Sequence, residues 1–397
     1  MDTRFYQKAG NDFESLSFMD LLEARDLYHV HLMNYPNVVA TAIGRYRIRS
    51  EDSWPEPDGT VKHKGTGPRT LSNSEVRPYS WPAILVFVDT WLELDEFGEG
   101  KPYDPSEMVP RTLFLPNGRK IPVCVILVQK VAQRPATPKI EFPLNNIGGG
   151  NPIIANVQGQ KHVATLACLV TDGHRTYALT NRHVAGDPGE VMYSRLSGNE
   201  EPVGWSSGKQ LTRLPFSSVY KDCPGRDVYL NLDAGLIDIE NLDRWTAQVH
   251  GLGTLAPMAD LPPSQMKLSL VGSRVAGFGA ASGRMDGEIT ALLYRYKSVG
   301  GFEYLADFLI GPRTGGDLGK KGHPQPELLT RPGDSGTLWV FDPTHAPNQV
   351  QDGKARPGYR PFALQWGAEL FGGGDTSYVL ATALSTICNH LARPSHF

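Results

Sequence analysis

Apolar residues recur at helical spacing early in the chain, at Phe18, Leu21, Leu22, Ala24, Leu27, Val30 and Leu32. Ser17 supplies an N-cap and Asp20 an acidic first turn, so a helix is predicted over 17–34, ended by Pro36-Asn37. Short continuous apolar runs follow at 38–48, 83–88 and 121–128. Ile84-Leu85-Val86-Phe87-Val88 and the run from Ile121 to Val128 lack the alternation of a half-exposed strand, so both of their faces should be covered. Gly59 to Ser80 is polar and turn-rich and reads as a long exposed loop. The expected organisation is a helical arm over 1–34, a small α/β N-terminal domain over 35–132, and a linker over 133–158 containing Gly148-Gly149-Gly150.

Beyond the linker the pattern is that of strands and turns. A hairpin is predicted at Asp172-Gly173, within a first β-barrel over 159–266. A second barrel over 267–397 takes strands Val271–Ala280, Gly287–Leu293, Phe302–Ile310, Thr337–Phe341, Pro361–Trp366 and Tyr378–Ala383, closed by a helix over Leu384–Ala392. Gly277-Phe278-Gly279 and Ser282-Gly283-Arg284 read as a glycine-rich hairpin, because no Gly-Lys-Ser/Thr follows to make a phosphate loop. Gly311–Thr330, rich in glycine and proline, reads as a mobile loop. The class is therefore mostly β, two barrels behind a small α/β domain.

Composition narrows the function classes. The 42 glycines and 31 prolines suit a turn-rich β architecture, and a net charge of −3 gives no footprint for nucleic acid or an anionic membrane. Met1-Asp2-Thr3-Arg4-Phe5 leads into no apolar signal region, and no apolar run reaches spanning length. Four cysteines, Cys124, Cys168, Cys223 and Cys388, make no dense disulfide framework. A soluble, cytoplasmic protein is the expectation. His29 and His31 point about 200° apart on a helix, a poor metal pair, and read as surface or partly buried residues.

The candidate chemistry lies in three segments. Arg331-Pro332-Gly333-Asp334-Ser335-Gly336 precedes the apolar run Thr337–Phe341. Glycines around a serine permit a tight turn in which the N–H groups of Gly333 and Ser335 converge beside the hydroxyl, the layout of a nucleophile and oxyanion hole. Upstream, Tyr177–Thr180 reads as a strand running into Asn181-Arg182-His183, which offers a base. Between them Asp233 interrupts the apolar segment Leu230–Ile239, where a buried carboxylate needs a partner such as a histidine Nδ1–H. Asp238, alternating with isoleucines, and Asp227, in a turn, compete for that role.

With Asp233 lying 50 residues after His183 and Ser335 a further 102 on, the order His, Asp, Ser resembles the chymotrypsin-like (trypsin-fold) serine peptidases. The wording of Thr180-Asn181-Arg182-His183-Val184 and of Thr165-Leu166-Ala167-Cys168 most resembles the plant narrow-leaf-type trypsin-like proteases and their bacterial relatives, over roughly residues 160–392. Phe362-Ala363-Leu364-Gln365-Trp366-Gly367 is similar to the strand lining the primary specificity pocket, with Gln365 in place of the usual serine.

The resemblance implies two six-stranded antiparallel β-barrels of the trypsin type and an acyl-enzyme endopeptidase acting on protein or peptide substrates, with His183, Asp233 and Ser335 catalytic. Gly333 and Ser335 would form the oxyanion hole, and Leu329, Gln365, Trp366 and Gly367 the substrate-binding wall. Leu329 at the pocket base implies an apolar or small P1 side chain. No metal or organic cofactor is required. Asp334 poses a problem, since its counterpart in secreted relatives often pairs with a new N-terminal amine, whereas here a long segment precedes the first barrel. The N-terminal domain is expected to serve scaffolding, homo-oligomerisation or docking of a regulatory protein. Two alternatives stand beside this reading: a non-catalytic or partner-activated protein-binding module, and another serine hydrolase such as an esterase, disfavoured because Thr337 replaces the last glycine of Gly-x-Ser-x-Gly.

Overall fold

Ser17 starts helix α1 (Phe18–Met33) with a reciprocal cap: its hydroxyl accepts the Asp20 N–H at 3.1 Å and the Asp20 carboxylate accepts the Ser17 N–H at 2.8 Å. The computed structural model of the chain describes residues 13–56, 60–128, 140–157, 160–221, 228–297, 303–313, 330–343, 358–371 and 377–392. The buried face of α1 carries Phe18, Leu21, Leu22, Arg25, His29 and Leu32. Leu27 and Val30, expected in the apolar stripe, are exposed instead, and His29, expected at or near the surface, is fully buried. The period of 3.6 residues places Arg25 and His29 above Leu21, and both find polar partners inside. Arg25 donates to the Leu293 carbonyl at 3.0 Å, and His29 Nδ1 meets the Thr41 hydroxyl at 2.7 Å.

Under α1 lies a sheet of β1 (Val38–Arg45), β2 (Pro82–Val88), β3 (Thr112–Phe114) and β4 (Lys120–Leu127). β2 is antiparallel to β1 and parallel to β4, and every residue of β2 is buried, as its uniform apolar run requires. The segment leading into β2 departs from expectation. Leu71, Ser74, Arg77 and Ser80 are all buried, and Ser74–Glu75 pairs with Ile48–Arg49. This polar stretch folds inward because its polar groups are satisfied there: the Arg77 guanidinium bonds Glu75 and the carbonyls of Arg49 and Ser50.

The first barrel is built from β5 (Pro152–Val157), β6 (Gln160–Thr165), β7 (Cys168–Thr171), β8 (Thr176–Thr180), β9 (Val191–Leu196), β10 (Asn199–Pro215) and β11 (Tyr229–Ile239). Its pairing runs β7-β8-β11-β10-β9-β5-β6. β5 therefore occupies residues expected in the linker, and Ile147–Gly149 just before it pairs with Trp245–Val249. Apolar side chains Ile147, Ile153 and Ala155 are drawn into the barrel core there.

The second barrel closes completely. β12 (Arg274–Gly279), β13 (Gly283–Lys297), β14 (Glu303–Pro312), β15 (Leu338–Phe341), β16 (Arg360–Leu370) and β17 (Ser377–Ala383) form the antiparallel ring β12-β13-β14-β17-β16-β15, followed by α2 (Leu384–Leu391). The protein is thus mostly β, with two barrels and a smaller N-terminal helix-and-strand region. β1 also pairs with β13, through Ala40 opposite Tyr296 and Thr41 opposite Arg295, so the N-terminal sheet runs on into the second barrel. The long β13 supplies the free edge that makes this continuity possible. The two barrels meet where Tyr229 and Leu230 of β11 pair with Tyr304 and Leu305 of β14.

Candidate active site

Strand β8 ends at Thr180, and a single helical turn, Arg182–Ala185, carries His183 at the mouth between the barrels. Its Nδ1 lies 2.5 Å from Asp233 Oδ2, and its backbone N–H donates to Asp233 Oδ1 at 3.0 Å. Both carboxylate oxygens are therefore used on one residue, which fixes the ring and its backbone together. The Asn181 amide donates to the Asp233 carbonyl at 2.7 Å, a third tie between the same segments.

Asp233 reaches His183 because β11 is bulged. The register against β10 shifts between Leu211 and Arg213, and Asp233 takes φ 42°, a left-handed conformation that is uncommon for a residue with a side chain. The bulge turns the carboxylate out of the ladder. Asp238 stays in regular pairing opposite Tyr177 and Trp205, away from His183, and Asp227 lies outside the described residues. His183 keeps a side chain 48% exposed while Asp233 is 14% exposed, so the imidazole is open to solvent and its partner is more sheltered.

The serine turn is held by the first barrel. The Thr165 N–H donates to the Ser335 carbonyl at 2.7 Å, and the Thr165 hydroxyl donates to the Gly333 carbonyl at 2.9 Å. The Thr180 hydroxyl donates to the Thr165 carbonyl at 2.9 Å. Thr180 directly precedes the histidine segment, so Thr165 links that segment and the serine turn across the barrel interface. Gly333 and Gly336 adopt φ 107° and 91°. At Gly336 a Cβ would also stand 2.0 Å from the Thr165 carbonyl oxygen, so the turn can approach β6 only without a side chain. Among the described residues, the N–H groups of Gly333 and Ser335 have no protein acceptor.

Asp334 has found internal partners. Fully buried, it accepts the N–H groups of Ala281 and Ser282 at 3.0 and 2.9 Å on Oδ1. On Oδ2 it accepts the Ser282 hydroxyl at 2.5 Å, the Arg331 N–H at 2.7 Å and the Thr330 hydroxyl at 3.1 Å. Five donors from two loops thus occupy the carboxylate that raised the question of an N-terminal amine. None of them is legible as a motif; Ser282 lies in a hairpin that reads from sequence only as glycine-rich.

Gln365 is buried and spent inside the protein. Its amide donates to Thr330 at 2.7 Å and accepts the Trp339 indole N–H at 3.1 Å, while its carbonyl accepts the Gly336 N–H at 2.9 Å. Trp366 and Gly367 are half-buried, and Trp366 donates to the Thr382 hydroxyl at 3.0 Å. Past Leu364, β16 pairs with β17 but no longer with β15, leaving one edge of Trp366–Leu370 without a strand partner among the described residues. Leu329, expected at the pocket base, lies outside the described residues. Among those residues no group of three or more His, Cys, Asp or Glu side chains could hold a metal, and no helix is long and apolar enough to cross a membrane.

No known family model matches the chain. It is 44% identical over 394 residues to a protein of Bradyrhizobium tropiciagri named a probable serine protease. That match covers 96% of this chain and 48% of the relative, so the chain spans about half the length of the curated protein it matches. Among solved structures it is similar to Thermobifida fusca protease A, at 18% identity with a TM-score of 0.36, over 62% of this chain and 95% of that one. It is also similar to Cellulomonas bogoriensis chymotrypsin, at 16% identity with a TM-score of 0.34, over 62% and 94% of the two chains. The two-barrel description rests on the pairing of this chain's own strands.

Proposed function

We propose that this chain is a serine endopeptidase that hydrolyses peptide bonds through an acyl-enzyme. Ser335 is the nucleophile, His183 the general base and then acid, and Asp233 the group that orients the imidazole and stabilises its charged form. The observation that carries the reading is the double contact of Asp233 with the Nδ1 and backbone N–H of His183. That contact holds the ring with Nε2 available to a serine hydroxyl, and the Thr165 bonds tie the Ser335 turn to the same barrel.

As Ser335 attacks a carbonyl carbon, the developing oxyanion would be received by the N–H groups of Gly333 and Ser335, each worth roughly 3–4 kcal/mol in comparable sites. The extended substrate backbone would add to the free edge of β16 at Trp366 and Gly367. Protein or peptide substrates follow from that geometry, and an apolar or small P1 side chain is proposed from Leu329 alone. The finer kinship with the plant narrow-leaf type rests on the wording of the histidine motif and of Thr165-Leu166-Ala167-Cys168.

The test is labelling with a fluorophosphonate probe, comparing the native chain with Ser335→Ala. Labelling of the native chain alone is expected. A native chain that fails to label under any condition in which it is folded would favour the non-catalytic binding module instead.

A further inference from the structure

A cavity of about 370 Å³ opens in the N-terminal region, within the size range of small-molecule sites. All of its lining residues fall between Tyr46 and Val125, and none of His183, Asp233 or Ser335 is among them. Its chemistry is lopsided. Arg49, Lys64, Arg69 and Arg111 line it against a single carboxylate, Asp52, which already accepts the Gly65 N–H at 2.6 Å.

Among the described residues, the two inner guanidiniums are bonded only to neutral acceptors. Arg49 donates to the Gly67 carbonyl, and Arg69 donates to the Val125 carbonyl at 3.4 Å and the Tyr46 hydroxyl at 3.3 Å, with its guanidinium 4.9 Å from the Tyr46 ring centre. The Nε of each is buried without any partner. Arg77, in the same segment, shows the contrast, because it pairs with Glu75 at 2.7 Å. Burial, and next the charge of Arg69, hold the Arg49 guanidinium below its ordinary range, with Asp52, Tyr46 and Glu51 opposing. Lys64 and Arg111 are exposed at the mouth, and neither has an ion-pair partner among the described residues. Four cations against one carboxylate in a partly closed site are unfavourable, and an anion from solution would relieve the excess.

Apart from Ser53 and Ser80 the remaining walls are apolar and aromatic, with Trp81 buried and Trp91 half-buried. We propose that this cavity binds a small organic anion, its charged group among Arg49, Arg69, Lys64 and Arg111 and its planar apolar body against Trp81 and Trp91. Inorganic phosphate alone would leave the aromatic walls unused, and a neutral aromatic would leave the cations unpaired. Both halves of the ligand are needed.

The test is fluorescence and calorimetric titration of the full chain with phenyl phosphate, benzoate, inorganic phosphate and benzyl alcohol. Phenyl phosphate or benzoate should bind saturably and change tryptophan emission, and which binds more tightly identifies the head group. Inorganic phosphate and benzyl alcohol should each bind at least about tenfold more weakly than the better organic anion. Lys64→Gln with Arg111→Gln, both at exposed positions, should weaken the organic anion by at least about tenfold at unchanged circular dichroism and Tm. The proposal is overturned if neither organic anion saturates at millimolar concentration, if benzyl alcohol binds equally well, or if the folded double variant binds as the native chain does. Because no residue of the serine site is altered, these results stand apart from the outcome of fluorophosphonate labelling.

Discussion

Asp334 accepts the Ser282 hydroxyl at 2.5 Å, and that contact ties the serine turn to the hairpin between β12 and β13. Together with the Ala281, Thr330 and Arg331 donors it gives both oxygens of the carboxylate partners within the protein. The Asp334→Asn variant retains one acceptor oxygen but turns an NH2 group toward donors. It should lower the rate of fluorophosphonate labelling by roughly 100-fold and destabilise the fold by about 1–3 kcal/mol. Ser282→Ala removes one hydroxyl and should fall between native and Asp334→Asn in both measurements. Native-like labelling of Asp334→Asn would show that the turn is held by other means.

Thr165→Val keeps the shape of the side chain and both backbone bonds but deletes the hydroxyl shared by Gly333 and Ala280. Peptidase assays should show a lowered kcat with KM little changed, and urea unfolding a loss of about 1–2 kcal/mol. A change confined to KM would place the effect on the substrate wall rather than on the serine turn.

The choice of acid is open to direct comparison. Asp233→Asn leaves the imidazole without its carboxylate and should reduce kcat by about 10³–10⁴-fold. Asp238→Asn, in the regular ladder of β11, should stay within about threefold of native activity, as surface substitutions away from a site do. Equal losses for the two would remove the reason for assigning Asp233.

Gly336→Ala combines a left-handed backbone with a Cβ 2.0 Å from the Thr165 carbonyl. Destabilisation by well over about 1 kcal/mol is expected, together with loss of labelling. A variant as stable as native would mean that β6 can move away from the turn at little cost.

Two buried groups should give stability opposite dependences on pH. Burial holds His29 down to about 4 from 6.5, with the charges of Arg25 and Arg295 acting in the same direction and Glu303 opposing. The unfolded chain then takes up a proton that the folded one refuses, so this contribution is present above pH 6.5 and is lost as pH falls toward about 4. Asp307 is raised by burial from 3.8 to about 6, although the Ala383 N–H and Tyr220 hydroxyl favour its charged form. Its contribution is present below pH 3.8 and is lost as pH rises through about 6. Urea midpoints of His29→Gln and Asp307→Asn against native should therefore diverge in opposite senses across pH 4–6.5. Differences from native that do not vary with pH would rule out both titrations.

How far the site could be read from the chain differs by residue. His183 and Ser335 announce themselves, because a histidine after a strand and a serine between glycines need only local sequence to be noticed. Asp233 is visible as a polar residue in an apolar run, but the bulge that aims it depends on the register with β10. Thr165, Thr180 and Ser282 carry no local signal. Gln365 stands in a recognisable strand, yet its burial between Thr330 and Trp339 follows from packing.

The sequence by itself determined the elements with a clear local signal: the capped start of α1, the uniform runs of β2 and β4, and the strands of the second barrel. It also determined that a histidine, an aspartate and a serine in suggestive settings follow one another in that order along the chain. Only the tertiary structure decided that β1 joins the N-terminal sheet to β13, that the polar stretch before β2 folds inward around Arg77, and that Asp334 has internal partners. Local propensity is settled by neighbours a few positions away. The decisive contacts here join residues dozens to hundreds of positions apart, and a buried polar group takes whichever partner the packing brings within hydrogen-bond reach.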